Sequence, residues 1–212
     1  MRAPSVSREK EAWAGGRLLV GVDEVGRGPL AGPVVAAAVA FPPHAPRIQG
    51  IRDSKTIPAP RREALARLIQ RRAAVIGVAA ASVREIERFN IRGATALAMR
   101  RAVLRAVGPL RPSAPQSLRL LIDGLPFPEL GFDHEALVDG DALCYSVAAA
   151  GIVAKTVRDL LMARLAARHP GYGWESNMGY GTPDHLAGLE TLGPCRHHRR
   201  TFGPIAQLVL PL

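Results

Sequence analysis

Leu18-Leu19-Val20-Gly21-Val22-Asp23-Glu24-Val25-Gly26-Arg27-Gly28-Pro29-Leu30-Ala31-Gly32-Pro33 is the stretch on which the reading of this 212-residue chain turns. An apolar run delivers two adjacent carboxylates and then a glycine-flanked arginine. Buried carboxylates are costly unless something positive pairs with them. Glycines let a backbone approach a ligand closely and take positive φ. The stretch therefore offers candidate metal ligands, Asp23 and Glu24, beside a candidate phosphate- or sugar-reading loop, Gly26-Arg27-Gly28. Gly26 to Ala31 also match the dinucleotide fingerprint G-x-G-x-x-G/A. That fingerprint must open a helix. Gly32-Pro33 ends one, and Val34-Val35 resumes strand-like sequence, so the context speaks against it.

Working outward, Leu18–Val25 reads as a strand, Gly32–Phe41 as its partner and Ala74–Ser82 as a third. Arg61–Arg72 is helical by pattern, Val83–Phe89 a short helix and Gly93–Val107 a longer one. A proline-rich loop follows through Pro112 and Pro115. Ser117–Ile122 and Glu135–Val138 read as strands, Ser146–Arg168 as a long helix, and Pro183–Thr191 as a helix capped by Thr182. Strands that first follow one another and then alternate with helices predict an α/β fold with a mixed sheet. Residues 1–16 are expected to be a frayed tail.

The charge is +10 with a pI near 10.9, which points to a polyanionic partner, most economically a nucleic acid. Lysine occurs only at Lys10, Lys55 and Lys155, against 25 arginines, so Lys55 and Lys155 are positions where a compact ammonium is a candidate requirement. Arg84, Arg88, Arg92, Arg100, Arg101, Arg105 and Arg111 face only Glu85 and Glu87 over their stretch, a candidate duplex-backbone surface or a solvated face. Two cysteines, Cys144 and Cys195, argue against a disulfide framework. No apolar run is long enough to span a membrane, and the first residues lack the apolar core of a secretory signal. A cytoplasmic protein is expected.

Asp23, Asp123 and Asp141 each fall at or just past a strand end, where ligands gather in α/β sheets. Neighbouring strand residues face opposite ways, so Asp23 and Glu24 share a site only if the chain bends there. Four carboxylates in one pocket raise one another's pKa, and a divalent cation removes that penalty. Oxygen-only ligands favour Mg²⁺ or Mn²⁺ over zinc. Cys195, His197 and His198 fit no standard zinc spacing and read as solvated residues beside a phosphate path. No Walker A sequence occurs, nor any Ser-His-Asp or Cys-His arrangement.

Several stretches together resemble type 2 ribonuclease H (ribonuclease HII). They are Gly21 to Val39, Asp53-Ser54-Lys55, Leu121-Ile122-Asp123-Gly124, Gly140-Asp141, Ala148 to Asp159, Gly179 to Thr182 and His198 to Phe202. The resemblance implies a ribonuclease H-like fold over residues 17–170, a central mixed sheet flanked by helices. It also implies a small helical C-terminal extension over residues 171–212. It implies that Asp23, Glu24, Asp123 and Asp141 are the catalytic, metal-binding carboxylates of a two-metal site for Mg²⁺ or Mn²⁺. Gly26, Arg27 and Gly28 would read a ribose 2′-hydroxyl, Tyr180 would pack on the next deoxyribose, and Lys55, Lys155 and Arg200 would face phosphates. The implied activity is endonucleolytic cleavage of RNA in RNA–DNA hybrids and 5′ to ribonucleotides in duplex DNA, by a monomer.

The chain departs from the family pattern at Met178, where lysine is frequent, and at Gly151, where serine is usual and a loosened helix is expected. Leu143-Cys144-Tyr145 is also atypical. Without the resemblance, Tyr180 reads as packing, and Asp159 reads as a helix-surface or supporting partner. A junction-resolvase-type nuclease of the same fold and a non-catalytic nucleic-acid-binding protein are the alternatives.

Overall fold

The computed structural model describes residues 3–109 and 118–209. Period-two alternation builds the sheet. In β1 (Leu18–Val25), Leu18, Val20 and Val22 enter one apolar cluster, while Val25 enters the cluster on the opposite face. β2 (Val34–Ala40) is buried at every position, as befits a strand covered on both faces. β3 (Val75–Ala81), β4 (Leu118–Asp123) and β5 (Glu135–Leu137) complete a five-stranded sheet in the order β3-β2-β1-β4-β5. β1 is antiparallel to β2 and parallel to β4, so the sheet is mixed as expected.

One face is covered by α3 (Val83–Val107), whose Ile86, Met99 and Val103 meet Val20 and Val22. The other is covered by α2 (Ala59–Arg72) and by the long helix Tyr145–Arg168, through Leu65, Ile69 and Ile152. The two helices expected from Val83 to Val107 meet at Asn90, which has φ 56° and ψ 175°. Its side chain accepts the N–H groups of Arg92 and Gly93 and so caps the second segment. Ser82 and Glu85 form a capping box at the first.

The expectation of a frayed segment at residues 1–16 is corrected. Ser7–Ala14 forms α1, with Glu9 and Ala12 buried. Glu9 Oε1 accepts the Ser146 N–H at 2.8 Å and the Cys144 thiol at 3.2 Å. A carboxylate at the start of the long helix complements its dipole, a stabilisation of roughly 0.3–1 kcal/mol. The polar string Ser7-Arg8-Glu9-Lys10-Glu11 hid this, because the anchor is an acid. The proline-rich loop through Pro112 and Pro115, with Arg111 and Ser117, lies outside the described residues.

α4 (Gly140–Leu143) is a single turn between β5 and the long helix, which is therefore α5. Beyond it, α6 (Trp174–Asn177), α7 (Pro183–Leu192) and α8 (Gly203–Val209) enclose a smaller apolar cluster. There Trp174, Leu189 and Ile205 pack against Leu30 and Met162. Thr182 caps α7 as the sequence predicts. Among the described residues no helix is long and apolar enough to cross a membrane.

Candidate active site

Val22 pairs beside Ile122, so Asp23 and Asp123 leave parallel neighbouring strands side by side. Asp23 points to the α5 face and is only 8% exposed. Its Oδ2 lies against Gly151, where an added methyl would come within 2.3 Å of it. The expected loosened helix at Gly151 is thus corrected: the position is tight, and a side chain there would oblige the Asp23 carboxylate to shift. Glu24 takes the opposite face. The β1–β2 ladder runs on through Glu24 with Ala36 and Val25 with Val35, so the bend on which a shared site was made to depend does not fall between the two acids. The chain turns at Gly26, whose φ is 98°. Asp123 connects the two faces, since its charge acts on both acids. Its Oδ1 accepts the Gly140 N–H at 2.7 Å, which draws α4 and Asp141 to the same sheet end.

Burial pushes the Asp23 carboxyl well above the usual range, and the charges of Glu24, Asp123 and Asp141 add to it. The Glu24 N–H, 2.7 Å from Asp23 Oδ1, works the other way. Burial also raises Glu24, against the Arg27 guanidinium 3.3 Å away. Asp141 is raised by burial, then by Asp123 and Asp53, against Lys55. The four acids share one electrostatic field. Among the described residues, no three His, Cys, Asp or Glu side chains form a ready-made metal cage. The donor set nevertheless fits a hard divalent cation: it is all oxygen, and Glu24 Oε2 is buried without a hydrogen-bond partner. A cation there would relieve both the repulsion and the orphaned atom.

Two fully buried arginines hold the glycine loop. Arg199 donates to the carbonyls of Gly26, Arg27 and Gly32 at 2.6–3.0 Å. Arg158 donates to Ala31, Pro33 and Met178 at 3.0–3.2 Å. A side chain at Gly26 would collide with the Arg158 guanidinium. Burial, with Arg158 nearby, lowers Arg199 to about 9. Sequence reasoning missed both roles. The only signal was an arginine amid the apolar residues of α5 and a second one beside Arg200.

Tyr180 is exposed, with its ring 3.7 Å from where a Gly28 methyl would sit, so it is not core packing. Behind it runs a buried chain of rings. The Cys195 N–H donates to His198 Nδ1, and His198 Nε2 in turn donates to His185 Nε2. Trp174 Nε1 donates to the same His185 nitrogen, and His185 Nδ1 donates to the Tyr180 carbonyl. The expectation of solvated histidines is corrected for His198, which is 1% exposed. Burial and His185 hold it down to about 4.

Lys55 is exposed beside Asp141. Lys155 is tied at 2.6 Å to Asp159, which also takes Arg62 at 2.5 Å, so Asp159 is the supporting partner expected. Arg200 is exposed, its N–H held by Glu87. In the basic run, Arg92 and Arg101 are paired with Glu129 and Glu85, and Arg100 and Arg105 bond to carbonyls. The unusual Cys144-Tyr145 pair anchors neighbours: Cys144 meets Glu9, and the Tyr145 hydroxyl accepts the Ile48 N–H at 2.7 Å.

This mixed sheet, with acids at adjacent strand ends and a helical C-terminal cluster, has the fold of the ribonucleases H. The ribonuclease H2 of Pyrococcus horikoshii OT3 superposes with a TM-score of 0.74 at 24% identity, covering 90% of this chain and 96% of that one. Bst-RNase HIII in complex with Mn²⁺ gives 0.69 at 22%, covering 92% and 70%. The family model of ribonuclease HII matches residues 20–203. Ribonuclease HII of Cereibacter sphaeroides (strain KD131) is 52% identical over 209 residues, 97% of this chain and 94% of the relative. That of Synechococcus sp. (strain JA-3-3Ab) is 48% identical over 208 residues, 97% and 90%. The chain belongs to the ribonuclease HII family and is a nuclease of the type 2 ribonuclease H class.

Proposed function

We propose that this enzyme hydrolyses the RNA strand of RNA–DNA hybrids and cuts 5′ to ribonucleotides embedded in duplex DNA, leaving 5′-phosphate and 3′-hydroxyl ends. The observation that carries the reading is that Asp23, Glu24, Asp123 and Asp141 gather at one sheet end, with Asp123 Oδ1 on the Gly140 N–H, beside the Arg199-held glycine loop. The four carboxylates would hold two divalent ions, Mg²⁺ or Mn²⁺. Such ions orient the attacking water and offset charge on the phosphate and leaving oxygen.

The residues themselves do the reading and positioning. Gly26, Arg27 and Gly28 bring backbone groups against the ribose 2′-hydroxyl, the donor and acceptor that separates RNA from DNA. Arg158 and Arg199 fix that backbone before substrate arrives, so little ordering is left to offset on binding. Tyr180, exposed beside Gly28, packs on the following deoxyribose. Lys55 and Arg200, both exposed, meet phosphates, and Lys155 acts from within its Asp159 pair.

The test is cleavage of a DNA duplex holding one ribonucleotide, with Mg²⁺ or Mn²⁺, against the all-DNA duplex. The expected result is a single cut 5′ to the ribonucleotide, abolished by chelator. Cleavage blind to the sugar would indicate a resolvase-type nuclease, and salt-sensitive binding without cleavage a binding protein. Either would overturn the reading.

A further inference from the structure

Away from the acids, the first turn of α3, the last turns of α5 and the Arg196-His197 segment enclose a pocket of about 540 Å³. Its apolar lining comes from Val83, Leu161, Leu165 and Pro33. Arg84, Arg164, Arg168 and Arg196 also line it, and among the described residues no acidic side chain does; these arginines are taken as its rim and the apolar residues as its floor. Among the described residues none of these four arginines has an ion-pair partner. Arg92, Arg101 and Arg119 meet Glu129, Glu85, and Glu11 with Glu135, whereas Arg17, Arg52, Arg71 and Arg88 are exposed without an ion pair among the described residues; what sets the four apart is that they line one pocket. The acids nearest on α3 are committed, Glu85 to Arg101 and the Ser82 cap, Glu87 to the Arg200 N–H. His197 in the pocket wall is held below its ordinary range by burial and, after that, by the nearby His169, Arg196 and Arg168.

The occupant must supply both anionic groups and an apolar body. A nucleic-acid backbone satisfies the rim alone, since its row of hydrated phosphates leaves the floor empty. A peptide side chain satisfies both, because carboxylates pair with guanidinium forks bidentately while a neighbouring apolar side chain enters the pocket. The volume suits a small insertion rather than a whole domain face. We propose that this pocket is a docking site for an acidic segment of a partner protein, one that seats an apolar side chain on the Val83, Leu161 and Leu165 floor and sets flanking carboxylates against the arginine rim. The proposal is independent of the catalytic reading, since none of these residues belongs to the acid cluster or the glycine loop.

The experiment is fluorescence anisotropy with the full-length protein and three labelled probes. One is the peptide Gly-Asp-Glu-Leu-Phe-Glu-Asp-Gly, the second replaces Leu-Phe with Gly-Gly, and the third is a short DNA duplex. The first peptide is expected to bind saturably and to weaken with salt. The second is expected to bind at least about tenfold more weakly, the equivalent of losing a buried apolar anchor. The variant Arg164→Glu/Arg168→Glu is expected to lose about tenfold or more in affinity for the first peptide, with cleavage of a hybrid and thermal stability unchanged. No binding of the first peptide, or equal binding of the first two, would overturn the proposal, and neither result depends on the variant. A folded variant that keeps the peptide but loses duplex affinity or cleavage would assign the rim to nucleic acid instead.

Discussion

Asp23 shows what burying an acid among other acids costs the fold. It is buried, its carboxyl is pushed upward by burial and three neighbouring acids, and its present position would have to shift if Gly151 carried a side chain. A group whose folded pKa lies above its unfolded one weakens the fold at neutral pH, when the unfolded chain ionises it freely. Asp23→Asn is therefore expected to abolish cleavage, leave duplex binding largely intact, and stabilise the metal-free protein by about 1 kcal/mol, a rise of a few degrees in Tm. Turnover at the wild-type rate would contradict the role of Asp23. Gly151→Ala puts a methyl where Oδ2 now rests, and a misplaced ligand of about 1 Å costs roughly a hundredfold in kcat. Single-turnover kinetics should show that loss with substrate affinity unchanged, and full activity would mean the carboxylate position is not critical. The candidate acids were legible in the sequence because carboxylates at the ends of apolar runs are conspicuous. The tightness at Gly151 was not, since it depends on how closely α5 crosses β1.

Elements decide which loops stay where the chemistry needs them. The glycine loop is held from behind by Arg158 on α5 and by Arg199 near the chain end, while Tyr180 is held by the ring chain through His185 and His198. In that chain both His198 nitrogens are committed, Nδ1 accepting from Cys195 and Nε2 donating to His185. Protonating His198 breaks the first bond. Its folded pKa of about 4 lies below the ordinary histidine value of about 6.5, so the unfolded state binds the proton first. The stability this supplies is complete above about pH 6.5 and is lost as pH falls toward 4. The loss by pH 4.5 is on the order of 2 kcal/mol. Urea midpoints measured from pH 7 to pH 4.5 should fall more steeply for wild type than for His198→Asn, and parallel slopes would rule out this origin. Strand and helix placement was readable because alternation and capping are local. α1 was not, because a buried glutamate rather than an apolar stripe fastens it. The histidine chain was not either, because His185 and His198 lie on different segments.

At the scale of the whole molecule, a mixed sheet brings acids from β1, β4 and the α4 turn to one end, and the glycine loop and C-terminal cluster stand beside them. The sequence carried this arrangement as a set of ordered stretches. It made a shared site for Asp23 and Glu24 depend on a bend; the ladder runs on through both acids, the chain turns at Gly26, and the charge of Asp123 reaches both faces. The arginine excess likewise divides in three dimensions into fold-holding, paired and unpaired sets that a charge count cannot separate. Whether these four carboxylates act together as one cation site is decided by titrating Mn²⁺ into the metal-free protein and following it by electron paramagnetic resonance. Wild type is expected to take up Mn²⁺ saturably, and the variant Asp23→Asn/Glu24→Gln/Asp123→Asn/Asp141→Asn is expected to leave it free in solution; equal uptake by a folded variant would contradict a shared site.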